Sequence, residues 1–247
     1  MEKHLTILVL SYNNAKWYRR NLDSIFNQDY DNYNIVYVDD CSSDNTGSLV
    51  EQYLQDKQQK DTTTLIKNNT RKGALANRFF ASHLIEDSSI IVIVDGDDWL
   101  AHNQVFKKIN DIYSAKDVWM TYGQFRRFPF GEKGQCKKIS QDYNFRALTS
   151  WPVSHLRTYY AWLFKSIKKG DLMHHGTFFD VAEDVATMTP MLEMARGHIK
   201  FIPEVLYIYN QQTPLNDFKL KFEQQNAVTQ YIRSLQPYKP LDSMVSS

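Results

Sequence analysis

The first 125 residues alternate between short runs of apolar or β-branched residues and longer segments that carry one apolar stripe, and this alternation leaves few folds open. The runs are "LTILVL" (Leu5 to Leu10), "NIVYV" (Asn34 to Val38), "TTTLI" (Thr62 to Ile66), "IIVIV" (Ile90 to Val94) and "VWMTYGQF" (Val118 to Phe125). Strands with continuous rather than alternating apolar character are covered on both faces. Between them, "NNAKWYRRNLDSIFNQ" sets Trp17, Leu22, Ile25 and Phe26 near one helical face, with Asn13 or Asn14 as its cap. "SSDNTGSLVEQYLQ", "KGALANRFFASHLI" and "HNQVFKKINDIYSA" read as further helices. Strands and helices in strict alternation with short links predict an α/β fold, a mostly parallel sheet between helix layers.

The second half is less regular. Residues Gln124 to Ser150 are polar and read as a loop or flap. "HLRTYYAWLFKSIKKGDL" is expected to be an amphipathic helix. "DVAEDVATMTPMLEMAR" is expected to be a helix, although Pro190 costs it a backbone bond outside the first turn. "KFIPEVLYIYN" reads as extended, and the tail from Asp217 to Leu235 as a helix. The expected division is residues 1–123 as a ligand-binding half and 124–247 as a second half with a helical tail, in one continuous domain.

In sheets of this kind ligands bind beyond the carboxyl ends of the strands. The polar clusters fall there. Leu10 is followed by Ser11, Tyr12, Asn13 and Asn14; Val38 by Asp39 and Asp40; Ile66 by Lys67, Asn68 and Asn69, then Arg71 and Lys72; Val94 by Asp95, Gly96, Asp97 and Asp98. The last cluster poses a physical problem, because three carboxylates within four positions repel one another. A D-x-D on a strand end and tight turn offers oxygen ligands to a hard divalent cation, Mg²⁺ or Mn²⁺, whose shell a phosphate completes. Gly96 suits unusual backbone angles or close ligand approach. A bare D-x-D is more often a solvated turn; four such strand ends converging on one edge favour the metal.

Other chemistries lack their marks. No GxGxxG follows the first strand and no GxxxxGK[ST] occurs. The two cysteines, Cys41 and Cys136, form no CxxC, and no Gly-x-Ser-x-Gly elbow is present. His174 and His175 are adjacent, so they are not an i, i+4 metal pair. A net charge of +1 gives no global electrostatic case for nucleic acid or an anionic membrane. The apolar runs are too short for a membrane span or signal peptide, so the expected protein is soluble and cytoplasmic, or peripheral to a membrane.

"TILVLSYNN", "VYVDDCSSDNT", "KGALANR" and "VIVDGDDW", in this order, resemble the family 2 glycosyltransferases, and "AEDVATMTPMLEMA" carries the resemblance into the second half. The resemblance implies a Rossmann-like GT-A fold with a less regular acceptor half. It implies transfer of one sugar, with inversion, from a nucleotide-sugar (a UDP-sugar favoured) to a hydroxyl of a glycan, lipid-linked or protein acceptor. Mn²⁺ or Mg²⁺ would be the cofactor, held by Asp97 with Asp95 and Asp98, although Asp98 is either a second ligand or a turn anchor. Ser11, Tyr12, Asn13, Asp39, Asp40, Arg71, Lys72, Asp95 and Gly96 would bind the donor. Tyr12 would stack on the base and Asp40 would bond its edge, while Asp39 would support the turn and Asn77 hold the local backbone. Asp184, or its neighbour Glu183, would be the base that deprotonates the acceptor. Trp151, His155 and Arg157 would shape the acceptor or the leaving-group side. The rival readings are a nucleotidyltransferase, which normally brings a Gly-rich phosphate loop that "SYNNAKW" is not, and a non-catalytic nucleotide-sugar-binding module.

Overall fold

The structure is a computed structural model that describes residues 2–115, 117–140, 142–148, 150–213 and 222–243. Its elements, in chain order, are β1 (Leu5–Ser11), α1 (Tyr18–Phe26), β2 (Tyr33–Asp39), α2 (Thr46–Asp56), β3 (Thr63–Lys67), α3 (Ala74–Leu84), β4 (Ile90–Asp95), β5 (Trp99–Leu100) and α4 (Val105–Ala115). There follow β6 (Met120–Phe128), β7 (Ser154–Tyr160), α5 (Ala161–Lys165), β8 (Met173–His174), β9 (Thr177–Phe178), α6 (Glu183–Met194), β10 (Ile199–Asn210) and a C-terminal helix, α7 (Phe222–Ser234).

Among the described residues, eight strands form one sheet in the order β3-β2-β1-β4-β7-β6-β10-β5. β1, β2, β3 and β4 pair in parallel, as do β6 and β10. β7 runs antiparallel between β4 and β6, and the short β5 runs antiparallel on β10. Strands of both chain halves therefore share one sheet.

The unbroken apolar runs mean that alternate side chains feed two cores. Leu8, Leu10, Val36, Val38, Ile91 and Ile93 face a layer built from α3, α5 and α6. Leu5, Ile7, Val9, Ile35, Val92 and Val94 face α1, α2 and α4 through Leu22, Ile25, Val50, Leu54, Phe106 and Ile109. Ile90 to Val94 are each 0% exposed. Burial at about 1.5–3 kcal/mol per side chain makes β4 a stiff support for the acidic turn that follows it.

Several sequence expectations need correction. α1 starts at Tyr18, and its cap is backbone rather than side chain. The Asn14 carbonyl accepts the N–H groups of Trp17 and Tyr18, while the Asn14 amide donates to Ser11 Oγ. "HLRTYYAWLFKSIKKGDL" is not one helix. Its first part is β7, locked between two strands, and only Ala161–Lys165 is helical before a 3₁₀ turn at Lys169–Leu172. β6 continues to Phe128, into the segment expected to be loop, and the remainder contains a 3₁₀ turn at Phe145–Ala147. Pro190 sits inside α6, past its first turn. Of the expected helix from Asp217 to Leu235, residues 217–221 lie outside the described residues.

The turn at Phe145–Ala147 is fixed by a buried ion pair. Arg146 Nε and Nη2 donate to Glu193 Oε1 and Oε2 at 2.7 and 2.9 Å, Arg146 Nη1 reaches the Ile232 carbonyl, and Glu193 Oε2 also accepts the Tyr238 N–H at 2.9 Å. α6, the turn and the C-terminal segment thus meet on one carboxylate. Glu193→Ala strands a buried guanidinium, and the expected loss is about 3–5 kcal/mol. At about 2–4 °C per kcal/mol for a chain of this size, scanning calorimetry should show the melting temperature fall by roughly 6–20 °C.

Candidate active site

The carboxyl ends of β1, β2 and β4 lie side by side, since Ser11 pairs with Asp39 and Leu10 with Asp95. The D-G-D-D turn after β4 is held from several directions. Gly96 N–H donates to the Leu10 carbonyl at 2.8 Å, and Asp98 N–H donates to the Asp95 carbonyl at 3.0 Å. The buried Asn21 amide of α1 donates to the carbonyls of Asp95 and Asp98 at 2.9 and 2.8 Å. Gly96 has no left-handed φ. It is required because a Cβ there would stand 2.6 Å from Ser11 Cβ and Oγ and 2.8 Å from Asn14 Nδ2. The close approach is thus to β1, within the protein, and not to a ligand. Gly96→Ala is expected to cost about 1–3 kcal/mol by overpacking, read as a lowered midpoint in urea denaturation.

The three aspartates have different surroundings. Asp98 is 0% exposed, and its Oδ1 accepts the Asn210 N–H at 2.7 Å while its Oδ2 accepts the Tyr207 hydroxyl at 2.8 Å. Burial, with Asp97 and Asp95 alongside, raises its pKa well above the usual range despite those bonds. Asp97 accepts one bond from Thr213 Oγ1 at 2.6 Å, and its carboxyl is pushed up to about 6, first by burial and then by Asp95. Asp95 Oδ2 lies 3.6 Å from Arg157 Nη2 and 4.0 Å from His155 Nδ1. Arg157 is therefore one answer to the carboxylate repulsion. Burial alone would lower its pKa, but Asp95, Asp184 and Glu183 outweigh it and hold the guanidinium above its ordinary value. His155, stacked on Tyr207 at 4.6 Å and on Tyr209 at 5.5 Å, is kept neutral by burial, then by Arg157 and Arg78. Asp95, Asp98 and His155 each offer a ligand atom within 4.8 Å of the others. The Asp98 carboxyl, raised toward protonation, lies with Asp95 beside a neutral imidazole, which is the chemistry of a donor set that a hard divalent cation fits.

Two cavities meet at this turn. The first, about 610 Å³, is walled by Ser11, Tyr12, Asp40, Arg71, Lys72 and Asn77. The second, about 280 Å³, is walled by Asp98, His155, Arg157, Glu183, Asp184 and Gln225. Ala74, Asp95, Asp97 and Asp180 line both. In the first, Arg71 stacks over the Tyr12 ring at 4.0 Å. Asp40 accepts the N–H groups of Lys72 and Gly73 and the Asn68 amide, each at 2.9 Å. Burial would raise its carboxyl, yet bonds from Asn77, Lys72, Asn68 and Gly73 hold it below the usual range. Asp39 turns away to accept Ser42 Oγ and N–H, and Asn13 Oδ1 accepts the Ser43 N–H. Asn13, Asp39 and Gly96 therefore lie behind the cavity wall and shape its loops.

In the second cavity, Glu183 and Asp184 open α6, where the helix N-terminus favours negative charge. Arg78, 0% exposed, donates to Glu183 Oε1 at 3.0 Å and to Thr187 Oγ1 at 3.3 Å. Burial raises the Glu183 carboxyl and Arg78 opposes it. Glu183 is thus committed to Arg78, whereas the Asp184 carboxylate accepts the adjacent Val185 N–H at 2.8 Å. Trp151 packs against the core instead of lining either cavity. Sequence reasoning missed Asn21, Arg78, Tyr207, Asn210 and Thr213. Tyr207 and Asn210 lie at the end of β10 and Thr213 follows it, and "YIYNQQT" has the same apolar-strand, polar-end signature that marked the other strand ends.

A family model described as Glycosyl transferase family 2 matches residues 6–182, from β1 to the residue before α6. The chain belongs to glycosyl transferase family 2. Curated family relatives include the glycosyltransferase GlyG of Streptococcus pneumoniae, 26% identical over 86% of this chain and 72% of GlyG. A crystal structure of S. aureus TarS 1-349 in complex with UDP-GlcNAc matches with a TM-score of 0.68 at 19% identity, over 93% of this chain and 65% of that one. The mannosyltransferase PcManGT of Pyrobaculum calidifontis, in complex with GDP-Man and Mn²⁺, matches with a TM-score of 0.65 at 20% identity, over 96% of this chain and 66% of that one. This glycosyltransferase therefore spans about two thirds of those two solved chains. The likeness confirms the expected α/β GT-A fold, with its mainly parallel central sheet and flanking helices. No helix among the described residues is long and apolar enough to cross a membrane.

Proposed function

We propose that this glycosyltransferase moves a single sugar from a nucleotide-sugar, a UDP-sugar in the first instance, to an acceptor hydroxyl with inversion. The observation that carries the reading is the meeting of two cavities at Asp95 and Asp97. The larger cavity suits the nucleotide. Tyr12 offers a face for the base, Asp40 and Ser11 offer polar contacts, and Arg71 and Lys72 supply charge for phosphate. The smaller cavity suits the acceptor, a sugar hydroxyl of a glycan, lipid-linked or protein substrate.

Asp97 and Asp95 would hold Mn²⁺ or Mg²⁺ at the boundary; Asp98 and His155, whose ligand atoms lie within 4.8 Å of one on Asp95, would join them, and Asp98 also anchors the turn. When bound, that ion would supply Lewis-acid stabilisation of the departing diphosphate. The chain's own residues do the rest. Asp184 takes the proton of the attacking hydroxyl, which must lie within hydrogen-bond reach. A single base on one side of the sugar, with the leaving group on the other, gives inversion. Arg78 restrains Glu183, which leaves Asp184 as the base. TarS and PcManGT, solved with UDP-GlcNAc and with GDP-Man and Mn²⁺, support the donor class and the cation.

The test is incubation with a panel of UDP-, GDP- and dTDP-sugars with Mn²⁺, following release of nucleoside diphosphate. One donor should be hydrolysed slowly without acceptor and faster with it. Binding of a donor with no turnover under any condition would instead mark a non-catalytic module.

A further inference from the structure

The solvent face of α3 carries an apolar surface that sugar transfer does not use. Phe80 is 48% exposed and Leu84 71% exposed. They lie four positions apart and so share one helical face. Around them, Phe79 stacks on His83 at 4.2 Å, and Phe178 of β9 packs against Phe79 at 5.3 Å and Phe80 at 6.0 Å. Exposed apolar groups clustered in this way mark an interaction site more often than scattered ones do.

Cations border the cluster. Lys169 Nζ lies 5.6, 5.9 and 5.8 Å from the ring centres of Phe79, Phe80 and Phe178, and Lys72 Nζ lies 5.8 Å from that of Phe80. Lys168 is exposed beside Lys169. Of the nearby acids, Asp87 accepts from Lys165 Nζ at 2.6 Å and Asp171 accepts from the Tyr238 hydroxyl at 2.6 Å, while Glu86, two positions past Leu84, is an exposed acid at the Leu84 end of the patch. Lys72, Lys168 and Lys169 enter no salt bridge among the described residues. The surface is thus apolar at its centre and positive at its edge. It also borders the active site, because Lys72 and Ala74 line the larger cavity and Phe179, next to Phe178, lines the smaller one.

We propose that this face rests on an anionic lipid bilayer. Phe80 and Leu84 enter the boundary between headgroups and acyl chains, the lysine amines meet lipid phosphates, and both cavities open at the membrane surface. Apolar insertion and lysine attraction to anionic lipid act together in such docking, and neither alone is strong. A second copy of the chain fits the face less well, because a two-fold contact would set lysines against lysines. The inference depends on the transfer reading only in placing the acceptor at the membrane; binding itself is measured without turnover.

The experiment is co-sedimentation of the full chain with vesicles of phosphatidylcholine alone and of phosphatidylcholine with about one third phosphatidylglycerol. Binding is expected to the anionic vesicles and to fall as salt rises. Phe80→Ser with Leu84→Ser should weaken it at least about tenfold, and Lys168→Glu with Lys169→Glu by a similar factor. Both variants should keep wild-type donor hydrolysis in solution. No binding to anionic vesicles, or equal binding by the Lys168→Glu/Lys169→Glu protein, overturns the proposal. So does a dimer in sedimentation velocity that Phe80→Ser/Leu84→Ser dissolves. Absence of donor hydrolysis by the wild-type chain would count against the transfer reading and leave the vesicle result standing.

Discussion

Asp184→Asn is expected to lower turnover by about 10²–10⁴, the usual contribution of a positioned general base, while donor affinity stays within about twofold of wild type. The amide is nearly isosteric and its oxygen still accepts the Val185 N–H that Asp184 Oδ1 accepts at 2.8 Å. The start of α6 should therefore keep its geometry, and what is lost is the capacity to take a proton. Glu183→Gln offers the contrast. It weakens the pair with the fully buried Arg78, so its damage should appear in thermal stability as well as in rate. Steady-state kinetics with saturating acceptor, beside calorimetric titration of donor, separate the two. Turnover within threefold of wild type in the Asp184→Asn protein would remove Asp184 from the base role.

Asp97→Ala should abolish the dependence of donor binding on Mn²⁺ and cut turnover by roughly 10²–10⁴, since several kcal/mol of Lewis-acid stabilisation is involved. Its effect on stability runs the other way. An acid raised in the folded state to about 6 binds its proton more tightly there than when unfolded. It therefore costs stability once the pH passes the unfolded value near 4, and the cost is complete above about pH 6. Removing it at neutral pH relieves that cost and offsets the lost Thr213 bond, so the metal-free melting temperature should hold or rise. Asp98→Ala should do the opposite and lower it, because it orphans the Asn210 N–H and the Tyr207 hydroxyl. Titration calorimetry with and without Mn²⁺ checks the first claim; unchanged Mn²⁺-dependent affinity in Asp97→Ala would exclude the metal role.

β1, β2 and β4 were legible because their environment is simple, while β3, at the sheet edge with Thr64 and Lys67 exposed, was marked by its β-branched residues instead. A strand buried on both faces needs apolar residues at every position, and no other element in a soluble chain of this length has that pattern so briefly. β7 was not legible. "HLRTYYAWLF" satisfies a helical stripe and a strand alternation about equally, and its state is decided by β4 and β6 on either side, which is tertiary information. The site divides in the same way. Asp95, Asp97 and Asp184 were visible as polar residues at strand and helix ends. The anchoring of Asp98 was not, because its partners, Tyr207 and Asn210, are more than a hundred positions away. Glycine at position 96 was expected for unusual backbone angles or close ligand approach, whereas the crowding found there comes from Ser11 and Asn14 at the neighbouring strand end, which only the sheet register reveals.

The grip of β10 on the acidic turn also has a temporal side. Asp98 and Asn210 are separated by 112 residues. At about 5–20 residues per second, a ribosome reaches Asn210 roughly 6–22 seconds after Asp98. Through that interval the nascent chain carries a stretch of like charges whose proper contacts do not yet exist. The larger cavity can gather early from local strand–helix units, but the acidic turn is locked by β10, made more than a hundred residues later. The acidic turn therefore takes its final form only when β10 has been made and docked.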